Sequence, residues 1–271
     1  MSWKGQQPEM CGIAGYSLSA SSRVDRTLAA QALLAGIAER GDDAVGYAYV
    51  PPAGGIAIHK QRSGASALLE QVVLPTSASE VLVHVRDYTK GHPQIEANNH
   101  PIRHGSVVGV HNGIIFNDDE LMASHGFERA EPQMTVDSEA IFALAESSGG
   151  HAKALEELRG SMATAWLDER RPGTVFLARG VGRPLWIGTG REESFFASTK
   201  QALEVAERFL DLKLRKREVG EGRLVAIADG RELARERFKP DRNFEESSLP
   251  AVRAPHEGAF CLQRLAALAA I

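Results

Sequence analysis

Apolar residues along the chain follow two periods, which predict strands and helices in separate blocks. Several segments combine β-branched or aromatic residues with nearby turn residues, as strands do: VGYAYV, GGIAIHKQR, EVLVHVRDY, SVVGVHNGII, MATAWLDE, TVFLARG, PLWIGTG and SFFAST. Apolar residues recur at helical spacing in SSRVDRTLAAQALLAGIAERG, in TVDSEAIFALAES followed by HAKALEELRG, and in KQALEVAERF. Because runs of strands separate the helical blocks, the pattern favours an α+β fold with mostly antiparallel sheets.

The two ends of the chain differ from the region between them. The short apolar segment CGIAGY is typical of a buried strand bounded by turns, and it places Cys11 at a strand start, after a polar leader. Towards the other end the sequence becomes charged and proline-containing, before a final apolar helical stripe in AFCLQRLAALAAI. We therefore expect a leader over residues 1–10, a folded domain over 11–235 and, over 236–271, an extended tail ending in a short apolar helix.

Length, charge and cysteine content exclude several classes of protein. The 271 residues, 43% of them hydrophobic, can fill a large core, and a formal charge of -4 offers no basic surface to nucleic acid. No apolar run reaches the roughly 18 to 20 residues that a membrane span needs. The two cysteines, Cys11 and Cys261, form neither a disulfide framework nor a zinc site. We predict a cytoplasmic protein that binds neither nucleic acid nor membrane.

Cys11 and Arg86 are the first candidates for chemistry, and each has a plainer interpretation. Cysteine is among the most buried residue types, so Cys11 could simply fill space. Arg86 ends an apolar strand in HVRDYTKG, where a polar loop opens off a buried element. A guanidinium there could bind a carboxylate through two parallel hydrogen bonds, or it could form a structural ion pair.

Two further motifs are equally ambiguous when each is taken alone. Asn-Gly between strands usually signals a hairpin turn, yet in HNGII the Asn112 amide beside the Gly113 N–H is also the composition of an oxyanion hole. In TVDSEAIF, Asp137 or Ser138 could cap the following helix, or Asp137 could hold a substrate ammonium. Together with a cysteine and an arginine, these groups are what the hydrolysis of an amino-acid side-chain amide requires, and glutamine is the obvious substrate.

The order of the motifs resembles that of the class II glutamine amidotransferases, which are N-terminal-nucleophile hydrolases. The motifs are CGIAGY, RGDDAVG, HVRDYTKG, NNHPI, HNGII, VDSE, GSMATAWLD and SFFAST, and the likeness covers residues 11–229. Their spacing is most similar to that of the glutaminase half of glutamine–fructose-6-phosphate aminotransferases. The resemblance implies a four-layer αββα sandwich with the nucleophile at the start of the first strand.

The resemblance also implies catalytic roles. Cys11 would attack the glutamine amide carbonyl to give a thioester and ammonia, with its own free α-amino group as general base. Asn112 and the Gly113 N–H would form the oxyanion hole. Arg40, in RGDDAVG, matches a family arginine near the nucleophile, although a purely structural role is equally open. Neither a metal nor an organic cofactor is implied.

The same resemblance implies the residues that bind L-glutamine. Arg86 would bind its α-carboxylate and Asp137 its α-amino group, while Thr89 and Gly91 would shape the loop that closes over it. This loop departs from the family pattern, since aminosugar synthases usually have Arg-Trp-Ala-Thr-His-Gly where residues 86–91 read Arg-Asp-Tyr-Thr-Lys-Gly. Closure of the loop, and its coupling to a second active site, are therefore in question.

Two more departures bear on the function, because no sugar-isomerase domain follows and a leader precedes Cys11. We expect a stand-alone glutaminase or amidotransferase that supplies ammonia to a separate synthase or acceptor-domain protein; whether it is a homo-oligomer stays open. One alternative is an amidase acting on another γ-glutamyl-type amide. The other is a catalytically silent glutamine-binding domain, which follows if Cys11 stays in a peptide bond, since an amide nitrogen is no base near neutral pH. We expect the active form to begin at Cys11, by loss of the leader or by translation from Met10.

Overall fold

The computed structural model describes residues 11–244 and 252–270, so the expected leader over 1–10 lies outside the described residues. Two sheets dominate the fold. Their strands, numbered along the chain, are β1 (Gly12–Leu18), β2 (Ala44–Tyr49), β3 (Ala57–Gln61), β4 (Glu80–Arg86), β5 (Ile102–His104), β6 (Val107–Ile115), β7 (Gly160–Asp168), β8 (Thr174–Arg179), β9 (Trp186–Thr189), β10 (Glu193–Ala197), β11 (Arg215–Glu218), β12 (Arg223–Ala228) and β13 (Arg231–Arg237). The strand order is β11-β9-β10-β1-β4-β2-β3 in the 7-stranded sheet and β13-β12-β8-β7-β6-β5 in the 6-stranded sheet. All these neighbours pair antiparallel, as the strand pattern predicts.

Helices cover the outer faces of both sheets. In chain order they are α1 (Arg26–Ile37), α2 (Ala65–Leu68), α3 (Asp118–His125), α4 (Glu139–Ser148), α5 (Lys200–Leu210) and α6 (Pro255–Leu268). α1, α2, α5 and α6 pack on the 7-stranded sheet, while α3 and α4 pack on the 6-stranded sheet. In the parts of the chain that the structure describes, no helix has the length and apolar character needed to cross a membrane.

Alternation of side chains along the strands separates three apolar layers. In β4, Leu82 points into the layer between the sheets, whereas Val83 points to the layer under the helices. In β6, Val108 and Val110 also lie between the sheets. The architecture is thus the four-layer αββα sandwich expected from the family resemblance, and this prediction of the fold class is confirmed.

The same alternation places two of the candidate polar residues on the inner faces of the sheets. Arg86 stands four residues after Leu82, and Asn112 stands two residues after Val110; an even interval keeps side chains on one face of a strand. β1 starts beside the end of β4, because Gly12 pairs with Val85. The candidate chemistry therefore lies where β1 begins, at one end of the inner layer.

The helical segment expected in HAKALEELRG is much shorter in the structure. A 3₁₀ helix spans Ala152–Glu157, and α4 ends before it at Ser148. Gly149 and Gly150 both take positive φ values, 67° and 80°, which suit glycine and end a right-handed helix. The apolar residues of this segment reach the core from a short turn rather than from a long helix.

The beginning of the expected tail is also different, because the 6-stranded sheet continues into it. β13 pairs with β12 along its whole length and runs past the domain boundary that we expected after residue 235. Every residue of β13 is exposed, so an edge strand of charged residues shows no apolar alternation. The short apolar helix expected near the end of the tail is present as α6, while residues 245–251 lie outside the described residues.

Candidate active site

Cys11 lies immediately before β1 and is held by two hydrogen bonds. Its thiol Sγ donates to the backbone carbonyl of Asp87, at 3.3 Å, and its own carbonyl accepts from Arg40 Nε, at 2.9 Å. The residue is partly exposed, whereas Gly12, which follows it, is buried. The nucleophile candidate is thus fixed at both its side chain and its backbone.

The environment of the Cys11 thiol disfavours its charged form. Burial raises the pKa of the thiol from 9.0 to about 11, although the hydrogen bond to Asp87 and the positive charge of Arg86 act in the opposite direction. At pH 7 roughly one thiol in ten thousand would be ionised at such a pKa. The cysteine therefore needs a base to take its proton before it can act as a nucleophile.

Arg40 ends the 3₁₀ segment Ala38–Arg40 and is 1% exposed. Burial lowers the pKa of its guanidinium to about 10, which still leaves it charged at neutral pH. Its Nη2 atom is buried and has no hydrogen-bond partner among the described residues. The structure places this arginine against the backbone of Cys11, with one donor still available.

Asn112 and Gly113 lie inside β6, so the hairpin turn that Asn-Gly suggests does not form here. They pair with Ala163 and Met162 of β7. Gly113 has a φ of 141°, and a Cβ atom there would lie 2.0 Å from the carbonyl oxygen of Ser161, so only glycine fits. Asn112 is fully buried, and neither its Nδ2 nor its Oδ1 has a partner among the described residues. Since buried amides are normally hydrogen-bonded, this one is available to a ligand.

Arg86 ends β4 and organises the loop that follows. Its Nη1 donates to Asn99 Oδ1 at 2.5 Å, and its Nη2 donates to the carbonyls of Lys90, at 2.9 Å, and Gly91. Gly91 has a φ of 82°, and a Cβ atom there would lie 2.9 Å from the Asn98 side chain, so the tight return of this loop requires glycine. The guanidinium is buried and therefore firmly oriented by the loop that it holds.

The remainder of this loop is anchored by charged residues. Thr89 lies partly exposed in its middle, and the next residue, Lys90, forms hydrogen-bonded ion pairs with Asp118 and Asp119 at the start of α3. The backbone N–H of Tyr88 donates to Asp43 Oδ2 at 3.0 Å. Lys90, which departs from the family pattern, thus fixes the loop to the start of α3.

Asp137 lies between β6 and α4 and does not serve as a side-chain helix cap. Its Oδ2 accepts from the backbone N–H of Ile115 at 2.7 Å, and Ser138 occupies the cap position, where its side chain does not bond to the helix N–H groups. Burial raises the pKa of Asp137 from 3.8 to about 6, with Asp118 adding to the effect and Lys90 opposing it. This carboxyl group is buried and ready to accept a positive partner.

Three charged side chains lie close enough to the Cys11 thiol to affect its ionisation. The charges of Arg86, Asp87 and Asp137 all act on Cys11, and the charge of Arg86 also acts on Asp137. A nucleophile, a guanidinium and a carboxyl group therefore share one end of the layer between the sheets. This arrangement suits an amino acid whose side chain carries the bond to be broken.

Sequence reasoning missed the two asparagines of NNHPI, which support the loop from behind. Asn99 accepts from Arg86, and Asn98 Oδ1 accepts from the backbone N–H groups of Thr135 and Val136, at 2.7 and 3.1 Å. Both asparagines are buried. Adjacent asparagines just before a proline were a usable signal, because a buried amide needs partners.

Histidines near the site are buried and uncharged. The rings of His84 and His100 stack at 4.2 Å, and His111 Nδ1 lies 2.9 Å from Ser138 Oγ. Burial lowers the pKa of His84 and His111 to about 3 and that of His100 well below its usual value. Among the described residues no group of three or more histidine, cysteine or acidic side chains could hold a metal ion.

Comparison with protein families and curated sequences points to one kind of domain. A family model described as a glutamine amidotransferase domain matches residues 84–205. The isomerizing glutamine–fructose-6-phosphate aminotransferase of Escherichia coli strain K12 is 34% identical over 221 residues, which are 75% of this chain and 34% of that protein. The corresponding enzyme of Yersinia pseudotuberculosis is 32% identical over 220 residues, with the same coverage. The chain spans about a third of the length of these curated relatives.

Solved structures show the same fold at lower identity. Glutamine phosphoribosylpyrophosphate amidotransferase from B. subtilis, complexed with ADP and GMP, superposes with a TM-score of 0.66 at 20% identity, over 84% of this chain and 49% of that one. A glutamine aminotransferase class-II domain protein from Silicibacter pomeroyi gives a TM-score of 0.55 at 16% identity, over 85% of this chain and 100% of that one. The chain therefore shares its two-sheet fold with these two proteins.

Proposed function

This chain belongs to the class II glutamine amidotransferases, and from that premise we propose that it hydrolyses the side-chain amide of glutamine at Cys11, giving glutamate and ammonia. The observation that carries the proposal is the convergence of Arg86, Asp87 and Asp137 on the Cys11 thiol. A free amino acid needs a cation for its carboxylate and an anion for its ammonium. Arg86 and Asp137 supply this pair beside the nucleophile.

The proposed reaction passes through a thioester. The free α-amino group of Cys11 takes the thiol proton, and Sγ attacks the amide carbon of glutamine. Asn112 Nδ2 and the Gly113 N–H donate to the oxyanion of the tetrahedral intermediate. As this intermediate collapses, the C–N bond breaks and the α-ammonium of Cys11 returns its proton to the leaving ammonia. Water, deprotonated by the same amine, then cleaves the thioester to release glutamate.

Recognition of glutamine rests on the loop and on the acid before α4. The Arg86 guanidinium, oriented by Asn99 and by two loop carbonyls, faces the α-carboxylate in this proposal. Asp137 binds the α-ammonium, which also compensates the burial of its carboxylate. Thr89 and Gly91 shape the loop over the substrate, and Arg40 holds the backbone of the nucleophile.

The proposal also concerns the destination of the ammonia. We propose that ammonia leaves the described domain for the acceptor site of another protein or domain, because the aminotransferases that this chain resembles are about three times as long as the part it matches.

Steady-state kinetics with glutamine, asparagine and γ-glutamyl anilides test the substrate. Glutamine is expected to have the highest kcat/KM, because the carboxylate, ammonium and amide are bound together. Its KM should increase as the pH falls below about 6, since protonation of Asp137 removes the charge that binds the ammonium. The Asp137→Asn variant should have a high KM that no longer changes through this pH range. A clear preference for a bulky anilide would contradict the proposal and favour a γ-glutamyl amidase.

Replacing Asn112 tests the oxyanion hole. The Asn112→Ala variant is expected to lower kcat by about 100- to 1,000-fold with little change in KM, because its amide acts on the charge that develops in the transition state. Asn117→Ala is a matched control, since the Asn117 side chain bonds to the backbone of Glu157 and Arg159, away from the thiol. The control should lose thermal stability and keep kcat. Equal kcat values for Asn112→Ala and wild type would remove Asn112 from the mechanism.

A further inference from the structure

The segment that leads into α6 returns to the region around Cys11. Helix α6 buries Cys261 and Leu265 in the core shared with α1. Its Glu257 carboxylate accepts from the backbone N–H and the hydroxyl of Ser66, at 2.7 and 3.0 Å, and Arg264 donates to the carbonyl of Ser66. These contacts fix the position of α6 on the domain.

The two residues before α6 contact both parts of the chain that hold Cys11. The backbone N–H groups of Arg253 and Ala254 donate to the carbonyl of Glu39, at 2.8 and 2.9 Å. The neighbour of Glu39 is Arg40, which binds the Cys11 carbonyl. Arg253 Nε donates to Asp87 Oδ2 at 3.0 Å, and the carbonyl of Asp87 accepts from the Cys11 thiol.

The Arg253 ion pair is partly shielded from water. The side chain of Asp87 is 14% exposed and that of Arg253 is 27% exposed. A pair in such surroundings is stronger than a pair on the open surface, and it restrains the geometry of the groups around it. Asp87 occupies the loop position at which the related aminosugar synthases usually have tryptophan, so this contact belongs to a departure of this chain from its relatives.

We propose that Arg253 is a positioning residue for the nucleophile, and that it acts through Asp87. Its guanidinium fixes the peptide whose carbonyl accepts the hydrogen bond of the thiol, and its positive charge offsets the negative charge of the Asp87 carboxylate. The segment before α6 thereby holds the glutamine loop in place from within the same chain. For catalysis this inference rests on the proposed function, whereas for thiol reactivity it stands independently.

The Arg253→Gln variant tests the proposal by two measurements. With Cys11 as the first residue, kcat for glutamine should fall about tenfold with KM within twofold, as misplacement of a reacting group produces. The second measurement is the rate of Cys11 alkylation by iodoacetamide as a function of pH, followed by mass spectrometry of the Cys11 peptide. The pH at which this rate increases should be higher in the variant than in the wild type. The reason is that the Asp87 carboxylate, without the Arg253 charge beside it, disfavours the thiolate more strongly. The other charges that face the thiol are Arg40, Arg86 and Asp137.

Three further variants separate positioning from simple docking. Arg253→Lys keeps the charge and should restore most of kcat. The double variant Arg253→Gln/Asp87→Asn removes the negative charge of Asp87 as well and should restore the pH profile of alkylation. Arg264→Gln weakens the docking of α6 without contacting the loop, so it should lower the melting temperature and leave kcat unchanged.

The outcomes distinguish this proposal from the proposed function. An unchanged alkylation profile in Arg253→Gln overturns the positioning role, and so does an equal loss of kcat in Arg264→Gln. If wild-type protein is alkylated at Cys11 but hydrolyses no glutamine, the proposed function fails. The role of Arg253 is then decided by the alkylation profiles alone.

Discussion

A Cys11→Ala variant is expected to lose glutamine hydrolysis by at least about 10,000-fold, because the Cys11 thiol forms the covalent intermediate of the proposed reaction. The pocket itself should survive the change. Arg86 and Asp137 are held by contacts that do not involve the thiol, namely Asn99 and loop carbonyls for the former and the Ile115 N–H for the latter. Calorimetry should therefore still detect glutamine binding, while coupled assays of glutamate and ammonia should detect neither product.

The other cysteine of the chain provides the matched control. Cys261 is fully buried on α6, and burial raises the pKa of its thiol to about 12, so it is unreactive. Cys261→Ala should lower stability slightly and keep kcat. Residual activity of more than a few per cent in Cys11→Ala, with the control active, would mean that another nucleophile operates.

Protein that begins at Cys11 should hydrolyse glutamine at least about 100-fold faster than protein in which Met10 remains attached, which is the range of general-base catalysis. With the peptide bond intact, the thiol has a pKa of about 11 and no amine accepts its proton. A free α-amino group has a pKa of about 7.7 to 8.0 and is partly unprotonated near neutral pH. Because only the unprotonated amine is a base, kcat/KM of the active form should increase as the pH rises through this range.

Two matched preparations test this expectation. In one, a protease removes a tag so that Cys11 becomes the first residue; in the other, the cut leaves one alanine before Cys11. Intact mass spectrometry establishes the first residue of each, and activity is measured on the same samples. Full activity in the preparation with the extra alanine, or in native protein that keeps Met10, would show that the α-amino group is not the base.

The fold could be predicted from the sequence to a large extent. Strand periodicity is a local property of each segment, and the order of the motifs indicated a family whose fold is known. The segment SVVGVHNGII shows where local information is insufficient. Asn112-Gly113 has the composition of a turn, yet the strand continues through it because both residues pair with β7. The energetics of pairing with a distant strand override the local preference of the dipeptide.

Contacts between residues far apart in sequence could not be predicted. Arg86 was expected at a strand end, as observed, but its acceptor Asn99 depends on how the loop returns. The ion pair between Asp87 and Arg253 joins residues 166 positions apart, and the charged segment around Arg253 was interpreted as an extended tail. Charge and composition reveal that such residues are polar, whereas only the packed structure shows which partner each of them meets.

The Asn112 amide, which has no hydrogen-bond partner among the described residues, serves the proposed catalysis and lowers the stability of the fold. A buried polar group without a hydrogen-bond partner costs about 1 to 3 kcal/mol, in a class of domains whose total stability is only about 5 to 15 kcal/mol. An apolar side chain of similar size in β6 would remove that cost and, with it, the donor aimed at the reacting carbonyl. The free energy of unfolding of the ligand-free protein is therefore lower than the same scaffold would have with an apolar residue there. An oxyanion or its analogue that binds the Asn112 amide should raise this free energy of unfolding.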